Sequence, residues 1–404
     1  MTIATILVGL LGYAYQVLVG RLLTPQEFAL FSSVMALGAF LASPMNALFN
    51  VMSRAVSVTL ANGRDGQLAM LYRRFHLWLG GCAVLLVAAL APMFGERFLE
   101  LVRSSDNVVL WMFVLSLVCG MGVHINNAFF QGGRRFVALA GAGLGNSALK
   151  IASGFGLISL GLGVHGALGS VIFGSLAIWL AGALYLPRTH RSAVLDGHSR
   201  PAVSGVEGFS AALVANVCFS AMTQLDMVVV NYFFNNEMAG TYAAGAILGK
   251  AILYLPGGVV MSLFPVAVEK SVKDPSALWG LLLRSLAVTF ALCLSAALFY
   301  WVFGEWLLGL FFGGKYPGAY EVLLWYGFAM IPMALVLVAE HYLIARGRAV
   351  FAWIFILVAP CQVGALVVWH DELWMVILAI GLSGSATLAA GLAYISHTEQ
   401  TCRG

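Results

Sequence analysis

VLVGRLLTPQEFALFSSVMALGAF, residues 17–40, lies over VVVNYFFNNEMAGTYAAGAILGKA, residues 228–251, when the chain is slid along itself by about 211 positions. Phe31 then falls on Tyr242. One residue of slip brings Pro44 onto Pro256, and further along the GGRR of 132–135 meets the RGRA of 346–349. Three landmarks keep one order, and they match at loops and prolines as well as in apolar runs, which marks an internal repeat. The chain is two copies of one unit.

What each copy is follows from composition. Of 404 residues, 61% are hydrophobic and only 9% charged, against about 25% charged in a soluble domain. Too few charges exist to cover a water-exposed surface, so the solvent is lipid. A net charge of +4 is small and dispersed, which excludes a nucleic-acid-binding domain. A crossing helix takes roughly 20 apolar residues, and the chain offers about twelve such runs: 3–20, 28–49, 76–94, 108–130, 136–159, 163–186, 209–233, 240–264, 279–301, 322–343, 348–369 and 373–395. The first lacks a basic leader and a small-residue cleavage site and reads as a retained span. The longest polar stretches, 50–75 and 187–208, are too short for an enzyme domain. The expected fold is all-α and integral to the membrane, with an N-terminal six-helix bundle over 1–190, a cytoplasmic linker over 191–208 and a C-terminal six-helix bundle over 209–404. Six spans per copy make the copies parallel, and two such bundles facing each other enclose a central cavity suited to rocking.

Orientation follows from Lys and Arg, which stay on the cytoplasmic side. With the N-terminus inside, fourteen basic residues fall in cytoplasmic segments, Arg54, Arg64, Arg134, Arg135, Arg191 and Arg348 among them, and four fall opposite. Both termini are then cytoplasmic. The six cysteines form no CxxC pair and five sit in apolar runs, so they read as small hydrophobes and no metal site is expected.

A charge at the bilayer centre costs about 2.5–3.5 kcal/mol on insertion scales, so the few at depth are informative. They are Lys150, Asp226, Lys250, Arg284 and Glu340. Arg284 lies one turn into its span and can snorkel. Glu340, beside His341, is either a gate at the cytoplasmic end or a solvated helix end. Lys150 shares one helical face with Gly143, Asn146 and Ser153. Lys250 has Ala39 as its repeat counterpart, so the shared fold does not need the charge. Asp226 is expected to pair with Lys250 or to take part in ion coupling. Arg54, Arg134 and Arg135 can attract an anionic head group, and positive-inside bias alone also explains them.

RLLTPQEFALFSSVMAL (21–37) following a first span resembles a segment of the Wzx-type polysaccharide flippases, in the multidrug/oligosaccharidyl-lipid/polysaccharide (MOP) exporter superfamily. The block from Gln224 through NNEMAGTYAAGAILGKAILYLPGGVVMSLFPV (235–266), FFGGKYPGAYEVLLW (311–325) and IARGR (344–348) are similar to further segments of that family. The resemblance implies a MATE-like fold. It also implies a flippase that carries a polyprenyl-pyrophosphate-linked oligosaccharide to the outer leaflet of the cytoplasmic membrane. On that reading Lys250, Lys150, Asn146 and Arg54 are cavity candidates for the substrate, Asp226 a coupling or paired charge, and Arg134, Arg135, Glu340 and His341 cytoplasmic gate candidates. No cofactor is expected beyond coupling to H+ or Na+. The expected partners are the lipid-linked sugar, membrane lipids, and the polymerase and glycosyltransferases of the same pathway. The alternatives are a drug or cation antiporter of the same superfamily and a membrane-embedded glycosyltransferase or ligase. Two lysines against one aspartate favour an anionic head group over a cation.

Overall fold

The computed structural model describes residues 2–63, 66–85, 87–88, 91–189, 209–260, 278–345 and 350–401, and every regular element among them is helical. The chain forms two compact units, Met1–Leu213 and Val214–Gly404. In the first lie α1 (Thr2–Leu22), α2 (Pro25–Ala61), α3 (Gln67–Leu85), α4 (Ala91–Leu101), α5 (Asn107–Gly132), α6 (Phe136–Leu157) and α7 (Gly163–Thr189). Helix α8 (Phe209–Phe233) crosses the division. The second unit continues with α9 (Asn236–Gly249), α10 (Leu278–Phe312), α11 (Ala319–Ala345), α12 (Val350–Val368) and α13 (Leu373–Thr401). The linker expected over 191–208 lies outside the described residues, as do Arg64, Arg191 and Arg348.

Among the described residues each expected span finds helix, with one correction. Residues 50–61 are not a polar loop but the end of α2, which runs 37 residues. At 1.5 Å per residue that is about 55 Å, well past a hydrocarbon core of about 30 Å. The extension stays helical because its apolar side, Met52, Ala55 and Val56, is buried against Leu68 and Leu71 of α3 and Ile125 and Phe129 of α5. In the third span, 76–94, α3 is described to Leu85 and α4 from Ala91, and residues 86, 89 and 90 between them lie outside the described residues. Spans five and six join through a π-helical turn, Ile158–Leu162, where Gly161 takes φ +85° and Gly163 +49°. Such values suit glycine, which has no Cβ to clash.

Helix α2 starts where the sequence TPQE instructs it to. The Thr24 hydroxyl accepts from the Glu27 amide, the Glu27 carboxylate accepts from the Thr24 amide at 2.9 Å, and Pro25 opens the first turn. Within the first unit α5 packs against α2 and α7, and α6 lies between α1 and α7. A polar network fixes α3, α5 and α7. The Tyr72 hydroxyl donates to Asn126 at 2.7 Å, Asn126 donates to the Trp179 carbonyl at 2.9 Å, and Trp179 Nε1 donates to His76 at 3.0 Å. In the second unit α11 is central, touching α9, α10 and α13. It is mostly buried, whereas α10 is mostly exposed.

Candidate functional site

The polar site of the second unit begins with glycine. Gly245 and Gly249 stand one helical turn apart on α9. A Cβ on Gly245 would sit 2.7 Å from Val322, and one on Gly249 would sit 2.9 Å from the Tyr326 ring. This small-xxx-small face lets α9 press onto α11. The approach carries Tyr242, one turn before Gly245, and Lys250, just after Gly249, to the same depth as Tyr326 of α11. Asp226 enters from α8. Its carboxylate is fully buried. One oxygen accepts from the Tyr242 hydroxyl at 2.8 Å and the Tyr326 hydroxyl at 2.7 Å, and the other accepts from Lys250 Nζ at 3.1 Å. The ammonium also lies 5.8 Å from the centre of the Tyr326 ring, within cation–π reach.

Lys250, whose side chain is 16% exposed, is therefore compensated by an acid and a ring. That answers the physical question its depth raised, because a buried ammonium persists where an opposite charge meets it. Tyr242 and Tyr326 escape a sequence reading that weighs only ionisable residues. The repeat carried one signal: Tyr242 stands where the first copy has Phe31. In the same register Asp226 stands where that copy has Tyr15. Tyr15 and Phe31 meet edge to face at 6.1 Å, and the Tyr15 hydroxyl donates to the Ala167 carbonyl at 2.8 Å. The architecture needs only a neutral tyrosine there.

Lys150 is in a different position. It projects from α6 beside Asn146, and both lie against Gly174 of α7, where a Cβ would come 2.9 Å from the Lys150 side chain and 3.0 Å from the Asn146 amide oxygen. That oxygen is buried with no hydrogen-bond donor, and Lys150 makes no ion pair among the described residues. Arg54, Arg134 and Arg135 gather at one end of the first unit, because Gly132 at the close of α5 packs on Ser53 and Val56 of α2 and accepts from the Ser57 hydroxyl at 3.0 Å. Arg134 holds a left-handed φ of +55°, and Arg135 lies 5.7 Å over the Tyr185 ring. Glu340 on α11 is buried without a hydrogen bond or ion pair among the described residues. Its neighbour His341 bonds back to the Leu337 carbonyl at 2.8 Å. Residues 346–349 lie outside the described residues. No group of three metal-ligating side chains occurs among the described residues.

Comparisons with known proteins bear on the fold and the family. The fold is similar to that of the lipid II flippase MurJ in its inward closed conformation, with a TM-score of 0.71 at 14% identity over 98% of this chain and 87% of that one. It is equally similar to an inward-facing multidrug resistance MATE family transporter of the MOP superfamily, with a TM-score of 0.72 at 13% identity over 98% and 96% of the two chains. A Vibrio cholerae MATE transporter gives 0.63 at 14% identity over 100% and 98%. No curated protein sequence matches. A family model described as polysaccharide biosynthesis protein matches residues 17–321. With its long apolar helices and its MATE-like fold, this multi-pass membrane protein belongs to the polysaccharide biosynthesis protein family.

Proposed function

We propose that the protein is a flippase, not an enzyme, that moves a polyprenyl-pyrophosphate-linked oligosaccharide across the cytoplasmic membrane by alternating access of two six-helix bundles joined by the 191–208 segment. Both termini face the cytoplasm. The observation that carries the reading is Lys150. A cation deep in a membrane-spanning helix, with no acid partner among the described residues and an undonated amide oxygen beside it, is stable only where a ligand or water meets it. Pyrophosphate supplies the opposite charge, and a lysine binds it as a compact point charge able to release it on the far side. Arg54, Arg134 and Arg135 form the basic entry on the cytoplasmic side. Lys250, already paired with Asp226, is the secondary candidate. Coupling to H+ or Na+ falls to Asp226, no cofactor takes part, and the polymerase and glycosyltransferases of the pathway are the partners.

The test is flipping of a pyrophosphate-linked sugar lipid in proteoliposomes. Lys150→Ala should lower the rate at least about tenfold, a loss of roughly 1.4 kcal/mol of binding, with elution and thermal unfolding unchanged. Parental rates in Lys150→Ala, alone and combined with Lys250→Ala, would sink the assignment.

A further inference from the structure

A cavity of about 930 Å³ opens in the second unit where α9, α11 and α13 begin. That volume is at the upper end of the roughly 300–1,000 Å³ of small-molecule sites. Four carboxylates rim it, Glu237, Glu321, Asp371 and Glu372, and its lining contains no Lys or Arg. Below the rim the walls are aromatic and apolar, with Trp325, Phe328 and Trp374, and they continue along α13 to Ser385. Twelve residues at 1.5 Å give a depth of about 18 Å, half of the bilayer or slightly more. The Trp374 indole donates to the Glu372 carboxylate, which fixes the ring at the mouth. Trp325 and Trp374 keep 59% and 50% of their surface exposed, so both offer an open face.

Helix N-termini stabilise carboxylates, which accounts for Glu237 and Glu321 being tolerated but not for the aromatic well beneath them. Ionised carboxylates only accept hydrogen bonds, so the rim needs a ligand rich in O–H or N–H donors. Flat aromatic faces need a ligand with apolar C–H faces as well. Sugar rings present both. Pyrophosphate and other anions are excluded, since like charges brought together are strongly disfavoured.

We propose that this cavity seats sugar units of the lipid-linked substrate and selects neutral or amine-bearing units over acidic ones. The proposal rests on the flippase reading above and concerns the sugars alone, which go to an acidic, aromatic seat in the second unit. Discrimination comes from repulsion as well as attraction, the usual route to specificity.

The full chain in detergent micelles is titrated with maltohexaose, chitosan hexamer and hexagalacturonate, followed by tryptophan fluorescence and saturation-transfer NMR. The neutral and amine-bearing probes should bind, the amine-bearing one at least about tenfold more tightly than the uronate. Trp374→Ala, or Glu321→Gln with Asp371→Asn, should weaken both by about fivefold or more without changing elution. Equal binding of the uronate, no binding of any probe, or displacement of the bound sugar by calcium or by ethidium at equal concentration overturns the seat. The two readings separate in proteoliposomes. Flipping that persists while no sugar binds removes the seat and leaves the flippase, whereas sugar binding in a protein that flips no pyrophosphate-linked lipid removes the flippase and leaves the seat.

Discussion

Removing Lys250 while keeping its length and apolar stem, as in Lys250→Met, strands a carboxylate that is fully buried. Two phenol donors remain on Asp226, from Tyr242 and Tyr326, so the loss should fall at the low end of the about 3–5 kcal/mol typical of breaking a buried pair. For a unit of this size, about 2–4 °C per kcal/mol converts a loss of about 3 kcal/mol into a fall of roughly 6–12 °C. Asp226→Asn should cost less, because the ammonium it leaves behind is 16% exposed where the carboxylate is fully buried. The double variant Asp226→Asn with Lys250→Met buries no charge and keeps an acceptor for the two tyrosines. It should recover most of the loss, giving a coupling of about 2 kcal/mol or more between the sites. The assay is thermal unfolding of the four proteins in detergent, read by tryptophan fluorescence. Losses that simply add in the double variant would refute the account of the site. In proteoliposomes, Asp226→Asn should also weaken the dependence of flipping on a proton or sodium gradient. Full gradient dependence in that variant would leave Asp226 a purely structural partner.

Other consequences are direct. Gly182→Ala places a Cβ 2.2 Å from the Asn126 amide nitrogen, inside a side chain held at both ends, and should cost about 1–3 kcal/mol; Gly141→Ala, with nothing within 4 Å, is the control that should not destabilise. Thr24→Ala removes the cap of α2 and should cost about 1 kcal/mol, read as a lower unfolding midpoint; an unchanged midpoint would show the cap to be idle. At the mouth of α5 the Asp106 carboxyl is held below its ordinary range, first by the Val108 amide and then by His165 at 2.6 Å. A depressed carboxyl stabilises the fold above its unfolded pKa of about 3.9 and loses that contribution as pH falls through the native value. Asp106→Asn should therefore flatten the acid limb of the stability curve below about pH 4, and identical limbs would dismiss the contact. Single cysteines at 134 and 371 should label from opposite faces of intact cells, 371 from outside; labelling of 134 from outside inverts the topology.

Composition and periodicity were enough for the solvent and for the helical class, since a chain with this few charges has nowhere but lipid to put its apolar residues. The repeat registered Phe31 on Tyr242 and Ala39 on Lys250, and so marked Lys250 as a charge the architecture does not require. Helix ends were less legible. The 50–61 segment carries polar residues, and only Leu68, Leu71, Ile125 and Phe129, brought in from α3 and α5, keep it helical. The partners of each deep charge were beyond the sequence for a related reason. Asp226 and Tyr326 are one hundred positions apart, and they meet because Gly245 and Gly249 let α9 lie against α11. Lys250 and Lys150 look alike as isolated lysines in apolar spans, yet one meets an aspartate and the other meets Gly174 and an undonated amide. Sequence determines which charges enter the membrane, because that depends on local composition. Tertiary structure decides which of them is already neutralised, because that depends on how closely the helices approach.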